Sequence, residues 1–115
     1  MPHTSEATTL WSGDLMSGSG TTSLDSSKAA EFPVSWQARA EGVAGMTSPE
    51  ELLGAAHSAC YSMALSNGLA NGGHAPESLQ VTAAVTFQPG EGITGSHLLV
   101  SAKVPGITEE EFEKF

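Results

Sequence analysis

The sequence predicts an α+β fold. Three features predict it: β-prone segments over the first forty residues, one long capped helix in the middle, and a pair of strands followed by a second capped helix. Strands that follow one another in hairpins, with helices between and after them instead of alternating strand by strand, point to that class.

Thr8–Leu15 opens with Thr9, Leu10 and Trp11 ahead of Gly13 and suits a short strand. Ser17–Gly20 reads as a Gly/Ser turn and Thr21–Leu24 as a second strand, so the two make a hairpin. Asp25–Glu31 is polar and reads as a loop. Across Phe32–Ala40, Val34, Trp36 and Ala38 alternate with Ser35, Gln37 and Arg39, and a period of two predicts a half-buried strand. Glu41–Met46 is a Gly-bearing loop.

The clearest local signal follows. Ser48-Pro49-Glu50-Glu51 has the spacing of a capping box, with proline at the first helical position. Leu52 through about Asn67 then predicts a helix. It is apolar around most of its circumference (Leu52, Leu53, Ala55, Ala56, Ala59, Cys60, Met63, Ala64, Leu65), and such a helix belongs in a core. Gly72-Gly73 stops it. Ser78–Gln88 alternates through Leu79, Val81, Ala83, Val85 and Phe87 and predicts a strand. Pro89–Gly92 is a turn, and Ile93–Val104 is the hairpin partner. Pro105-Gly106 ends that strand. Thr108 and Glu111 again fit a capping box at the start of a second helix.

Composition excludes several classes. The 115 residues suit one domain. Four Lys and Arg against 13 Asp and Glu give a net charge of −9, which leaves no basic surface for nucleic acid or anionic membrane. A single cysteine rules out an internal disulfide framework. No apolar run is long enough for a membrane span. Met1–Leu10 is polar and holds no Lys or Arg, so it does not read as a signal peptide, and the expected compartment is the cytoplasm.

The candidate for chemistry is Cys60, in the middle of the long helix. A buried cysteine acts as a small hydrophobe, whereas a reactive one needs a thiolate and a positive partner. Arg39 is the only arginine. Glu51 has a structural task in the capping box; Glu50, in the same first turn, is the better carboxylate to orient an arginine through a bidentate pair. Glu50 and Cys60 are ten residues apart, about 15 Å along a straight helix at 1.5 Å per residue. For both to serve one site, a kink or a second subunit is needed, which favours a homodimer. His57 lies three residues before Cys60 and neighbours it on the helix surface. A Cys–His pair of this kind can be nucleophilic or can supply two metal ligands, but two ligands are not a metal site and no other cysteine exists. His57 reads instead as a packing or polar-edge residue, the commoner role of a histidine in such a place. His3, His74 and His97 are scattered, Gly18-Ser19-Gly20 lacks the frame of a phosphate loop, and Ser58 and Ser62 lack a triad.

The segment Thr47-Ser48-Pro49-Glu50-Glu51-Leu52-Leu53-Gly54-Ala55-Ala56-His57-Ser58-Ala59-Cys60-Tyr61-Ser62-Met63-Ala64-Leu65 closely resembles the signature helix of the OsmC/Ohr family, the osmotically inducible protein C and organic hydroperoxide resistance proteins. The OsmC branch is the nearer. Supporting segments are Leu10–Asp14, Arg39–Gly42, Gly92–Leu98 and Lys103–Ile107. The resemblance implies an α+β fold with an antiparallel sheet, a long buried central helix and an intertwined homodimer. It implies a thiol peroxidase of oxidative and osmotic stress defence, reducing organic hydroperoxides and hydrogen peroxide. Cys60 would be the peroxidatic nucleophile, with Arg39 and Glu50 holding the thiolate and orienting the peroxide. No cofactor or metal is implied. The apolar positions Leu53, Ala56, Met63 and Ala64 around Cys60 would favour an alkyl peroxide.

The resemblance also carries an expectation about extent: residues 1–115 form a single OsmC-like domain that is C-terminally incomplete. The family's resolving cysteine and final strand have no counterpart before Phe115. Cys60 sulfenate would then depend on an external thiol reductant, such as a dihydrolipoyl group, or overoxidise. The alternative reading is a catalytically impaired OsmC-like domain that binds a hydrophobic ligand or a partner, with an unreactive Cys60.

Overall fold

A computed structural model of the chain describes residues 2–115; Met1, at the head of the segment read as carrying no leader, lies outside them. Two compact units emerge. One holds the chain up to Leu52 together with Phe87–Gly92, and the other holds Leu53–Thr86 and Ile93–Phe115.

The first unit contains strands β1 (Thr8–Ser12), β2 (Ser19–Ser23) and β3 (Glu31–Val34), an antiparallel sheet in the order β1-β2-β3. Thr9 faces Thr22 across the first pair, and their hydroxyls lie 2.7 Å apart. The predicted hairpin is present, but its turn comes earlier than the Gly/Ser cluster suggests. Asp14 makes it: one carboxylate oxygen accepts the Ser17 N–H at 2.8 Å and the Ser17 hydroxyl. Those two bonds, the side-chain one the larger effect, hold the Asp14 carboxyl below its ordinary pKa. Gly20 is in the strand because the Trp11 ring lies against it. A Cβ there would be 2.8 Å from that ring.

The predicted strand over Phe32–Ala40 is corrected. Only β3 is extended; Trp36–Ala40 is a short helix, α1. Ser35 stays extended as its N-cap and accepts the Ala38 N–H at 3.1 Å. The cap competes with strand extension, and Trp-Gln-Ala-Arg-Ala then holds one turn. Alternation over so few residues does not distinguish the two periods.

The long helix, α2, runs over Pro49–Asn71. Its cap is half of the expected box: Ser48 Oγ accepts the Glu51 N–H at 3.0 Å, but the Glu51 carboxylate takes the Thr47 hydroxyl rather than the cap's own N–H. The helix outlasts its predicted end by one turn. It stops at Gly73, whose φ of 85° and N–H to Ala70 C=O bond, with the His74 N–H on Leu69 C=O at 2.8 Å, make a Schellman close.

In the second unit, Leu65 and Leu69 of α2 are the buried core. Gly54 permits close approach to the sheet, since a Cβ would stand 3.0 Å from the Ala83 carbonyl oxygen. Strands β4 (Ser78–Gln88) and β5 (Gly92–Lys103) pair as one two-stranded sheet. The short turn between them makes them antiparallel. Inward positions of β4 are half-buried in strict alternation, as predicted. Helix α3 (Glu109–Phe112) carries the full Thr108/Glu111 capping box. The Thr108 N–H and hydroxyl bond to the Glu111 carboxylate and hold its pKa down, the backbone bond contributing most.

The expectation of a helix buried all round meets a limit. Within one chain α2 buries one face, while Leu53 is 44% and Met63 72% exposed and Cys60 is exposed too. In the second unit the buried positions Leu65 and Leu69 lie on one side of the helix, so the apolar positions on the other side stay open.

Candidate active site

Arg39 and Glu50 both belong to the first unit. The Ser35 cap places Arg39 in the last turn of α1, not at the end of a strand. The Ser48 cap and Pro49 place Glu50 in the first turn of α2, where it is 6% exposed. The structure brings the two together. Arg39 Nε donates to both carboxylate oxygens, at 3.3 and 3.2 Å, and Nη2 donates to Oε2 at 3.0 Å. This side-on grip fixes the guanidinium plane and leaves Nη1 unspent.

Phe87, at the end of β4, completes the setting. Its ring centre is 4.1 Å from Arg39 Cζ, so the guanidinium is stacked on an aromatic face as well as held by a carboxylate. Trp36 in turn meets Phe87 edge to face, with ring centres 5.7 Å apart at 89°. An apolar recess of about 290 Å³ opens here, lined by Thr9, Trp11, Leu15, Val34 and Trp36 with Arg39 among them. A fixed cation with free N–H groups in an apolar recess can stabilise charge that develops on oxygen.

Cys60 belongs to the second unit. It is a free, exposed thiol on α2. His57, one turn earlier, bonds through Nδ1 to Ser96 Oγ of β5 at 2.6 Å. That fits its reading as a polar-edge residue. Among the described residues, no three His, Cys, Asp or Glu side chains gather where a metal could be held.

Phe87 and Trp36 are the parts of the Arg39 setting that the sequence did not reveal. Each reads as one more inward apolar position in an alternating segment. The available signal is weak: a lone arginine in a chain of seven aromatics, counting two Trp, one Tyr and four Phe.

A family model described as OsmC-like protein matches residues 42–115, a span that holds Glu50 and Cys60 and begins just after Arg39. The chain belongs to the OsmC-like family. It is 42% identical over 106 residues to Peroxiredoxin OsmC of Escherichia coli (strain K12) and equally to that of Shigella flexneri. Each alignment covers 90% of this chain and 73% of the relative. The crystal structure of the organic hydroperoxide resistance protein OhrB of Bacillus subtilis matches with a TM-score of 0.64 over 97% of this chain and 79% of that one. At 16% identity that likeness concerns the fold, and it agrees with the antiparallel sheets and long helix of this OsmC-like chain. No helix among the described residues is long and apolar enough to cross a membrane.

Proposed function

We propose that this chain is a cysteine-based peroxidase that reduces organic hydroperoxides, and also hydrogen peroxide, with Cys60 as nucleophile and Arg39 and Glu50 as its charged partners. It acts as one OsmC-like domain in oxidative and osmotic stress defence in the cytoplasm. The observation that carries the reading is the Arg39–Glu50 pair: the chain's only arginine is held in one plane by a carboxylate that is almost wholly buried. Such a device suits the orientation of a small oxygen-rich substrate. The apolar recess beside Arg39 supports a substrate with an organic tail, and the name of the two curated relatives supports the reaction.

The Cys60 thiolate attacks the terminal oxygen of the hydroperoxide. An S–O bond forms, the O–O bond breaks, and sulfur is oxidised to the sulfenic acid while the peroxide is reduced to an alkoxide, which takes up a proton and leaves as the alcohol. Arg39 stabilises the charge that develops on oxygen. Glu50 keeps the guanidinium in place and is a positioning residue. A thiol outside the chain, such as a dihydrolipoyl group, returns Cys60 to the reduced form.

The acting species is a homodimer. Leu53, Cys60 and Met63 form an exposed stripe at helical spacing on α2, the kind of face that a second copy covers. Glu50 and Cys60 are ten residues apart on this helix, about 15 Å by its rise, so the partner's copy supplies what one chain cannot bring together.

The decisive experiment is single-turnover oxidation by one equivalent of cumene hydroperoxide, read by intact mass, with Cys60→Ser alongside. The expected result is rapid gain of one oxygen or a Cys60–Cys60 dimer, absent from the variant. No change over minutes, or equal oxidation of Cys60→Ser, overturns the reading. Mixing Cys60→Ser with Glu50→Gln tests the shared site. Half of the re-associated dimers carry one intact site, so about a quarter of wild-type activity returns; none returns if each chain keeps its own site.

A further inference from the structure

The peroxide reaction needs a proton for its leaving oxygen, and nothing in the Arg39–Glu50 pair carries one to give. Arg39 does not deprotonate in a protein, and Glu50 is occupied with three N–H contacts. The polar side chains within three residues of Cys60 on α2 are His57, Ser58, Tyr61 and Ser62; Tyr61, the adjacent residue, does not face Cys60 on the helix surface. Two of them are already spent. The Ser58 hydroxyl donates to the Ala55 carbonyl at 3.2 Å and the Ser62 hydroxyl to the Ser58 carbonyl at 2.7 Å, both within the helix. His57 is different: its one bond leaves the helix and reaches β5, thirty-nine residues away in sequence.

We propose that His57, oriented by Ser96, hands the proton to the leaving alkoxide when Cys60 attacks the peroxide. The proposal rests on the peroxidase reading above. His57 precedes Cys60 by three residues, so the two side chains are neighbours on the helix surface, with Cβ atoms about 5–6 Å apart. Ser96 Oγ sits 2.6 Å from Nδ1 and fixes the ring, so Nε2 is the nitrogen left free. In the imidazolium form, Nδ1–H donates to Ser96 Oγ and Nε2–H faces outward. As the O–O bond breaks, the alkoxide takes the Nε2 proton and departs as the alcohol. The ring is left as the neutral Nδ1–H tautomer, which is the one Ser96 holds as acceptor. Solvent restores the proton. His57 is half-buried, which lets it meet both water and substrate. Ser96 touches no reacting atom; it is a positioning residue for the imidazole.

The test exploits the leaving group. tert-Butyl hydroperoxide expels tert-butoxide, a strong base that needs a proton as it leaves, whereas peracetic acid expels acetate, which does not. Sulfenate formation on the full chain is followed by rapid-quench intact mass with each oxidant, in wild type, His57→Gln and Ser96→Ala. We expect His57→Gln to slow the reaction with tert-butyl hydroperoxide about a hundredfold, the usual worth of general acid catalysis, and to leave the peracetic acid rate within about threefold. Ser96→Ala should shift the ratio of the two rates the same way by less. If His57→Gln slows both oxidants equally, or neither, the proposal fails, because a merely structural residue does not read the basicity of the leaving group. Should His57→Gln not fold, the Ser96→Ala ratio decides by itself: an unchanged ratio overturns the proposal. Failure of the Cys60 reading is distinguished by Cys60→Ser, which would then oxidise as wild type does.

Discussion

Removing Arg39 should cost more stability than removing the charge of Glu50, although the two groups share one interaction. Arg39→Met leaves a carboxylate that is 6% exposed with no cation against it. Breaking a buried pair from one side costs roughly 3–5 kcal/mol, and we place this one at the lower end, about 3 kcal/mol, because the Arg39 side chain is 32% exposed and water can follow into its place. Glu50→Gln leaves the guanidinium with one amide oxygen and an opposed NH₂ group, but a partly exposed cation recovers water, so about 1.5 kcal/mol is expected. The double variant has no stranded charge. Its loss should be about 2.5 kcal/mol instead of the 4.5 kcal/mol sum, a coupling of about 2 kcal/mol. Urea unfolding at fixed protomer concentration measures all four corners of the cycle. A coupling below about 0.5 kcal/mol, the level of an exposed ion pair, would refute the claim that this pair is a fixed and largely buried unit.

Other outcomes follow from single contacts. Phe87→Leu removes the ring under Arg39 and the edge contact with Trp36 while keeping the apolar bulk; unfolding should show a loss of about 1–2 kcal/mol, of which Arg39→Met abolishes part when the two are combined. Gly54→Leu forces a side chain against the Ala83 carbonyl, where even a Cβ stands at 3.0 Å, and should cost about 3 kcal/mol in thermal or urea unfolding. Gly72→Ala presses on the far end of the Phe115 side chain and meets the Gly68 carbonyl oxygen at an ordinary contact distance of 3.5 Å, so it should cost distinctly less. The Glu111 carboxyl is held below its unfolded value by Thr108. Its contribution is therefore present above the unfolded carboxylate range and is lost as pH falls through the folded value. Thr108→Ala removes the hydroxyl but keeps the backbone N–H that contributes most, so it should flatten that acid limb only in part, and an NMR titration of Glu111 would show its midpoint rise part of the way towards the ordinary one.

Local signals in the chain were legible. Ser48, Thr108 and the Gly72-Gly73 pair announced the ends of α2 and α3, because caps and glycine closures act within a few residues of sequence. The alternation of Leu79 to Phe87 announced β4, because a period of two persists over eleven residues. The five residues of α1 gave no such length. There a single hydroxyl, that of Ser35, outweighed the apparent alternation. The motif helix pointed to Cys60 and to Glu50 as the acid without another task. The sequence also identified Arg39 as the only guanidinium available.

What sequence by itself determined, then, is the set of local elements and the identity of the chemically able side chains, since propensity, capping and residue type are properties of short segments. The tertiary structure decided how those side chains are held: that Arg39 is gripped side-on by Glu50 and stacked on Phe87, that Trp36 backs Phe87, and that His57 is tied to Ser96. It also decided which face of α2 is covered, leaving Leu53, Cys60 and Met63 open. The physical reason is the same in each case. These contacts join segments from eleven to fifty-one residues apart, as Arg39–Glu50 and Trp36–Phe87 do. Only packing brings such segments together, so no short window of sequence contains them.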